Sequence, residues 1–302
     1  VYLQGRSETI LGSVMTSQDH NQIGIATKAN IRVKPYLCLS GESIRAQLEG
    51  SLERLRLKQV DLFYLHGPDI NTPIEDSLRA CNDLHKEGKF KELGISNYPA
   101  WKVMDMVHIC KANGWITPTV YQGHYNVIVR NVEMELLPCL RSCGIRMVVY
   151  NPLAGGLLTG KYNGMNDDAL NATGRYSSSY AGTAETPSPE YRVRYFHGST
   201  FKALELIRKT CTDANIPMVE ASLRWLMHHS YLNGKYGDGI IIAGSNCDHI
   251  KANLASCSGA PLPKSVLEDF DQAWKLAKSN CPGYFRGYDP VNGESYTFLE
   301  RF

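Results

Sequence analysis

Six apolar runs in this chain each give way to polar side chains at their C-terminal ends. Lys28 closes Ile25-Ala26-Thr27-Lys28, and His66 closes Leu62-Phe63-Tyr64-Leu65-His66. Ser96-Asn97, Gln122 with Tyr125-Asn126, Tyr150-Asn151 and Gly244-Ser245-Asn246 follow the later runs. An amine, an imidazole, hydroxyls and amides set out in this way can polarise a small molecule, hydrogen-bond it and exchange protons with it. A lone histidine after a strand is more often hydrogen-bonded structure than a catalyst, but six runs in succession are hard to explain by packing. A second pattern, Gly155-Gly156-Leu157-Leu158-Thr159-Gly160-Lys161, fits GxxxxGK, the opening of a phosphate-binding loop. The next residue is Tyr162, where a nucleotide hydrolase needs a Ser or Thr hydroxyl for magnesium. A glycine-rich turn after a strand still offers its backbone N–H groups to a cofactor phosphate.

The elements that must position these groups follow from periodicity. Residues 23–29, 60–66, 92–96, 119–122, 147–150 and 239–243 are apolar nearly throughout, as parallel strands buried on both faces are. In Ser43–Leu57, Ile44, Leu48, Leu52 and Leu55 form one helical stripe while Arg45, Glu49, Glu53 and Arg56 face out. Further helices are predicted at 74–87, 99–113, 132–143, 201–215, 219–229, 249–257 and 264–279. The βαβα order argues for a parallel sheet with crossover helices. Six strands fit either an open doubly wound sheet or a (β/α)8 TIM barrel whose first two strands are missing from this chain. A doubly wound dinucleotide fold wants GxGxxG after its first strand, and no such motif occurs, which favours the barrel. The polar strand ends would then lie where barrel active sites lie. A single domain over residues 1–302 is expected, interrupted at 164–190 by a polar stretch that reads as a lid or a disordered loop.

Bulk properties narrow the class. The length of 302 residues suits one barrel of about 250 residues with extensions. A net charge of +2 and no Lys/Arg run argue against nucleic acid. No apolar run reaches the roughly 20 residues that a membrane span needs. The nine cysteines form no CxxC pair, which favours free thiols in a reducing compartment over disulfides or zinc. The chain opens at Val1-Tyr2 with neither an initiator Met nor a signal-like start, so about 30 to 50 further residues are expected before it.

Over almost its whole length the sequence resembles the aldo-keto reductases, above all the branch that reduces aflatoxin dialdehyde and succinic semialdehyde. The likeness rests on Tyr2-Leu3-Gln4-Gly5-Arg6-Ser7-Glu8, Thr27-Lys28, Asp61–His66 and Gly88-Lys89 leading to Leu93-Gly94-Ile95-Ser96-Asn97-Tyr98. Tyr121-Gln122 and Tyr150–Tyr162 extend it, and Cys281-Pro282-Gly283-Tyr284-Phe285-Arg286 points to that branch. The resemblance implies NADPH as cofactor, a small-molecule aldehyde as substrate, a cytoplasmic detoxification role and a homodimer as the assembly to test. It also implies a catalytic tetrad in which Tyr2, Lys28 and His66 are the tyrosine, lysine and histidine. The family's aspartate falls upstream of Val1, as would the first two strands.

By the same resemblance Ser96, Asn97 and Gln122 hold the nicotinamide carboxamide, and Tyr150 stacks on its ring. Asn151, Pro152, Leu153, Gly155, Gly156, Leu158, Gly160 and Lys161 cover the pyrophosphate, with Arg175 a further contact. Ser245, Asn246, His249 and Asn253 take the adenosine 2′-phosphate end, where many relatives carry an arginine and this segment has Lys251. Tyr191, Arg194 and Arg286 align with substrate contacts, joined by His66. Guanidinium groups pair with carboxylates, so an aldehyde bearing a distal acid group suits them, the alternative being surface ion pairs. Residues 287–302 extend past the usual end of the branch.

The chemistry agrees with these roles. Carbonyl reduction needs a hydride on carbon and a proton on oxygen, and free tyrosine, with a pKa of about 10, is a reluctant donor. A neighbouring ammonium lowers that pKa, and a shift of about 3 units needs roughly 4 kcal/mol of differential interaction. The histidine would hold and polarise the substrate oxygen. The rival readings are a cofactor-binding regulatory protein of the potassium-channel β-subunit kind, and an inactive truncated isoform with exposed sheet edges.

Overall fold

Each of the six apolar runs forms a strand in a computed structural model that describes residues 5–31, 37–165, 174–177 and 190–287. Tyr2, most of the 164–190 stretch and the segment after Gly287 lie outside the described residues. Contacts divide the chain into two units, one of Val1–Gln122, Pro138–Arg146 and Phe285–Phe302, the other of Gly123–Leu137 and Met147–Tyr284.

In the first unit the order is α1 (Arg6–Val14), α2 (Ser17–Gln22), β1 (Ala26–Ala29), α3 (Gly41–Leu55), β2 (Val60–Leu65), α4 (Ile74–Lys86), β3 (Phe90–Ser96), α5 (Ala100–Asn113) and β4 (Pro118–His124, its last two residues in the other unit). The strands β1 to β4 pair in parallel, in chain order. The register sets Lys28 beside Tyr64, Tyr64 beside Gly94, and Ser96 beside Gln122, so the polar strand ends form one row. Helix α3 buries Ile44, Leu48, Leu52 and Leu55, the stripe its 3.6-residue period predicts. Its N-terminus is capped by the Ser40 hydroxyl, which accepts from the Ser43 N–H.

Helices α1 and α2 carry no apolar stripe that periodicity would detect. In α1, Ile10, Leu11 and Val14 are exposed, while Glu8 and Gly12 are buried. A polar tie described below holds it. Helix α2 begins with a capping box between Thr16 and Asp19. The helix predicted from Val132 to Cys143 instead breaks into a 3-10 turn (Asn131–Glu133) and α6 (Leu136–Cys143). Pro138 explains the break. It fits the first turn of a helix, but further along its ring would clash with the carbonyl four residues earlier.

The second unit holds β5 (Arg146–Tyr150, its first residue in the other unit), a glycine-rich 3-10 segment (Ala154–Thr159), α7 (Glu190–Tyr195), α8 (Gly198–Asp213), α9 (Met218–His228), β6 (Gly239–Ile240), α10 (Cys247–Cys257) and α11 (Lys264–Ala277). Strand β6 pairs with β5 in parallel and is shorter than the predicted 239–243, although the Ile241 N–H still donates to the Val149 carbonyl. Asp238 anchors the start of the pair by accepting from the Met147 and Asn233 N–H groups. The Arg130 guanidinium lies over Trp225 at 4.2 Å and pairs with Asp271. No helix among the described residues is long and apolar enough to cross a membrane.

One side chain missing from β3 matters to the row of strand ends. A Cβ on Gly94 would stand 2.3 Å from Cδ1 of Tyr64, the ring that lies below Lys28. Gly94→Ala is therefore expected to lower stability by about 1–3 kcal/mol, the usual cost of overpacking. Urea denaturation checks this: the midpoint should fall at unchanged slope, and a wild-type midpoint would show that Tyr64 can move aside.

Candidate functional site

Lys28 is the penultimate residue of β1, its side chain nine-tenths buried and its ammonium 5.2 Å from the centroid of the Tyr64 ring. Burial pushes its pKa down to about 8, against the opposing pull of the Glu8 carboxylate. Glu8 reaches this place from α1. Its Oε1 accepts from the hydroxyl of Thr27, the residue before Lys28, at 2.5 Å, and its Oε2 lies 2.7 Å from the Arg54 guanidinium on α3. Burial works against the ionised carboxylate, but the Thr27 hydroxyl and the Arg54 charge are among the groups that outweigh it and hold its pKa below the usual range. A buried negative charge thus stands beside a buried positive one, with α1, β1 and α3 joined at that point.

Along the row, His66 follows β2, and its N–H donates to the Ala29 carbonyl. Asn97 sits in the left-handed region at φ 62, tolerable for asparagine, and its amide donates to the His66 carbonyl at 2.8 Å and to Ser96 Oγ at 2.9 Å. Ser96 Oγ donates in turn to the Gln122 carbonyl at 2.9 Å. The tail returns here too, the Arg286 N–H donating to the Asn97 carbonyl. The first unit therefore gathers Lys28, His66, Ser96, Asn97, Gln122 and Arg286 at the C-terminal ends of adjacent strands. Tyr2 lies outside the described residues.

In the second unit Tyr150 ends β5 and Asn151 takes a positive φ of 55 to open the glycine-rich turn. Pro152, Leu157 and Leu158 are buried, so Leu158 offers a ligand only its backbone, whereas Leu153, Gly155, Gly156 and Gly160 are partly open and Lys161 is exposed. Gly155 cannot be replaced without collision: it has φ 66, and a Cβ there would stand 2.6 Å from the Tyr191 ring. Tyr191 donates to Asn151 Oδ1 at 3.2 Å and bonds Arg175, while the guanidinium of Arg194 lies over its ring at 5.4 Å. Further along, Ser245 Oγ meets His249 Nδ1 at 3.0 Å, and Asn246 caps α10 by accepting from the His249 N–H. Asn253 donates to the Ala243 carbonyl, which fixes the loop before that helix.

Several positioning groups escaped periodicity and motif. Arg208 on α8 holds the turn by donating to the Gly160 carbonyl at 2.7 Å and to that of Tyr162. Tyr176 donates to the Ala154 carbonyl at 2.6 Å. His124 and Tyr195 belong with them. Their partners lie far away in sequence, so spacing carries no signal of them.

The fit of a dinucleotide can be tested against these residues. The side-chain amide nitrogen of Asn151 is buried and has no hydrogen-bond partner among the described residues, a cost of about 1–3 kcal/mol that a ligand acceptor would remove. The turn behind it presents Gly155, Gly156 and Gly160, all at positive φ. A Cβ on Gly156 would meet nothing nearer than 3.9 Å, so its peptide is open to a phosphate. No group of three or more His, Cys, Asp or Glu that could hold a metal ion occurs among the described residues.

Comparison with known proteins now decides the family. The pattern of the aldo/keto reductase family matches residues 1–275. The chain belongs to the aldo/keto reductase family. It is 48% identical over 295 residues to aflatoxin B1 aldehyde reductase member 2 of Mus musculus, covering 95% of this chain and 77% of that protein. It is 45% identical over 292 residues to aldo-keto reductase family 7 member A3 of Homo sapiens, covering 95% and 86%. Aflatoxin B1 aldehyde reductase member 4 of Homo sapiens is 46% identical over 294 residues, covering 94% and 86%. The fold class is accordingly the α/β barrel of an oxidoreductase.

The buried lysine of this aldo/keto reductase makes a prediction of definite sign. Unfolded, Lys28 keeps its proton up to the ordinary 10.5; folded, it loses it near 8. Between these values the unfolded chain binds more protons, so stability rises with pH through that window, and the cost of burying the charge is felt in full below it. Lys28→Met removes this contribution. The stability of the wild type relative to the variant should rise by about 3 kcal/mol between pH 8 and 10.5. Urea midpoints across that range read the difference, and parallel profiles would refute it.

Proposed function

We propose that this chain reduces aldehydes to alcohols with NADPH, with Tyr2 as the proton donor. The observation that carries the reading is Lys28, buried at a strand end with its pKa drawn down to about 8 and set in a row with His66, Ser96, Asn97 and Gln122. The kinship with aldehyde reductases supports it. Bound NADPH supplies the hydride that adds to the carbonyl carbon. Tyr2 gives its proton to the carbonyl oxygen, and the Lys28 ammonium stabilises the phenolate left behind. His66 holds the carbonyl oxygen by a hydrogen bond and polarises it.

Ser96, Asn97 and Gln122 would hold the nicotinamide carboxamide and Tyr150 its ring. The Asn151–Lys161 turn with Arg175 would hold the pyrophosphate. Ser245, Asn246, His249 and Asn253 would hold the 2′-phosphate end, at the N-terminus of α10, where backbone N–H groups favour anions. For substrate we propose aldehydes that carry a second polar or acidic group, of the aflatoxin-dialdehyde and succinic-semialdehyde type, with Tyr191, Arg194 and Arg286 as contacts. All nine cysteines are free thiols, which supports a reducing, cytoplasmic setting.

The test is loss of NADPH absorbance with 4-nitrobenzaldehyde and succinic semialdehyde, comparing wild type with Tyr2→Phe. Turnover is expected from the wild type, with a loss of about 10²–10⁴-fold in kcat for the variant, the usual worth of a positioned proton donor. NADPH binding without any wild-type turnover would replace the reductase reading with a cofactor-sensing role.

A further inference from the structure

Behind Tyr150 lies a side chain that none of these roles uses. The imidazole of His124, the last residue of β4, is stacked on the Tyr150 ring at 5.3 Å between centroids and 12° between planes. His124 is buried, whereas Tyr150 is only half-buried. The imidazole is itself held from two sides. Its Nε2 lies 2.6 Å from Oη of Tyr195 on α7, whose ring meets it edge-on at 81°. Asn126 Nδ2 lies 3.4 Å from the same nitrogen, and a side-chain amide nitrogen can only donate. Burial raises the Tyr195 pKa well above its ordinary value, so its hydroxyl keeps its proton and is able to donate. In the tautomer protonated on Nδ1, Nε2 can accept from both groups. Asn126 also donates to the Asn151 carbonyl at 2.9 Å, so the residue after Tyr150 is fixed from the same place.

We infer that His124 is a positioning residue that sets the plane of the Tyr150 ring, through which this enzyme orients the nicotinamide of its cofactor. The inference rests on the proposed role of Tyr150 as the stacking partner of that ring. A phenol backed by a fixed flat ring cannot tilt without losing its contact. Without that backing, Tyr150 can lean into the space behind it, and its other face no longer presents a defined plane. Tyr195 and Asn126 act one step further back, by fixing the rotation of the His124 ring.

The experiment uses the full chain and two ligands, NADPH and adenosine 2′,5′-bisphosphate, which lacks the nicotinamide. Affinities are measured by calorimetry for wild type, Tyr150→Ala, His124→Gln, His124→Met and His124→Phe. Gln keeps an acceptor for Tyr195 without a ring, Met keeps the volume without a ring, and Phe keeps a ring without an acceptor. His124→Gln and His124→Met are expected to weaken NADPH about tenfold, as Tyr150→Ala does, and to leave the bisphosphate within about twofold, while His124→Phe keeps NADPH within about threefold of wild type. Either ringless variant suffices if the other fails to fold. Equal weakening of both ligands, or unchanged NADPH affinity in a folded ringless variant, would overturn the inference. Wild type that binds no NADPH, or Tyr150→Ala that binds it unchanged, would overturn the cofactor reading beneath it.

Discussion

A lysine ammonium taken out of water carries a desolvation cost at the end of the first strand, and Glu8, Thr27 and Arg54 are arranged around it. Burial by itself disfavours the ammonium and lowers its pKa. The Glu8 carboxylate opposes this, and it stays ionised because Thr27 and Arg54 bind it. The arrangement is reciprocal. Thr27 precedes Lys28 on the same strand, so the group that secures the acid also fixes the backbone carrying the base. Helix α1 gains its place from this polar knot, and its exposed Ile10, Leu11 and Val14 show how little apolar contact helps. Removing one partner from such a buried network costs more than making the pair gains, because the other charge is left without compensation.

The second unit meets the opposite problem, holding a flexible glycine-rich turn in one shape. Backbone at positive φ at Asn151, Ala154, Gly155, Gly156 and Gly160 has few neighbours in the ladder to pair with. Its carbonyls are taken instead by side chains from elsewhere: Tyr176 at Ala154, Arg208 at Gly160 and Tyr162, Asn126 at Asn151. Tyr176 is stacked with Phe196 and lies edge-on to Tyr162 and Tyr191, so the hydroxyl that makes one of these bonds is itself locked by packing. The turn is held in this shape by the aromatic cluster around it.

How far the sequence could be read follows from these two designs. The long helices were legible because a period of 3.6 residues is local, the strands because each is a short continuous apolar run, and the row from Lys28 to Gln122 followed once parallel strands placed their C-terminal ends together. The polar knot was not legible: Glu8, Thr27 and Arg54 are widely separated in sequence, and no spacing links the three. Helix α1 was missed for the same reason, since its anchor is a carboxylate and not a stripe. Pro138 could have placed the start of α6 from sequence alone, by the clash that it makes with a preceding carbonyl. The His124 pair with Tyr195 depends on long-range packing and has no sequence signature.

The buried tyrosines sharpen what the reaction requires. Tyr125, Tyr176 and Tyr195 all have pKa values raised by burial, each hydroxyl being placed as a fixed donor or acceptor. Burial alone therefore turns a phenol into a structural hydrogen-bond donor that never releases its proton. A phenol that must give its proton away at neutral pH needs burial combined with a cation, and the cation must itself remain charged. Lys28, with a pKa of about 8, meets that condition narrowly: most of it is protonated at neutral pH, and its charge is screened by little water. Without Glu8 beside it the lysine pKa would fall further, lowering the protonated share of the lysine that the proposed proton donor depends on. On this reading the acid on α1 has no contact with substrate to make, yet it sets the pH range over which the tyrosine can act.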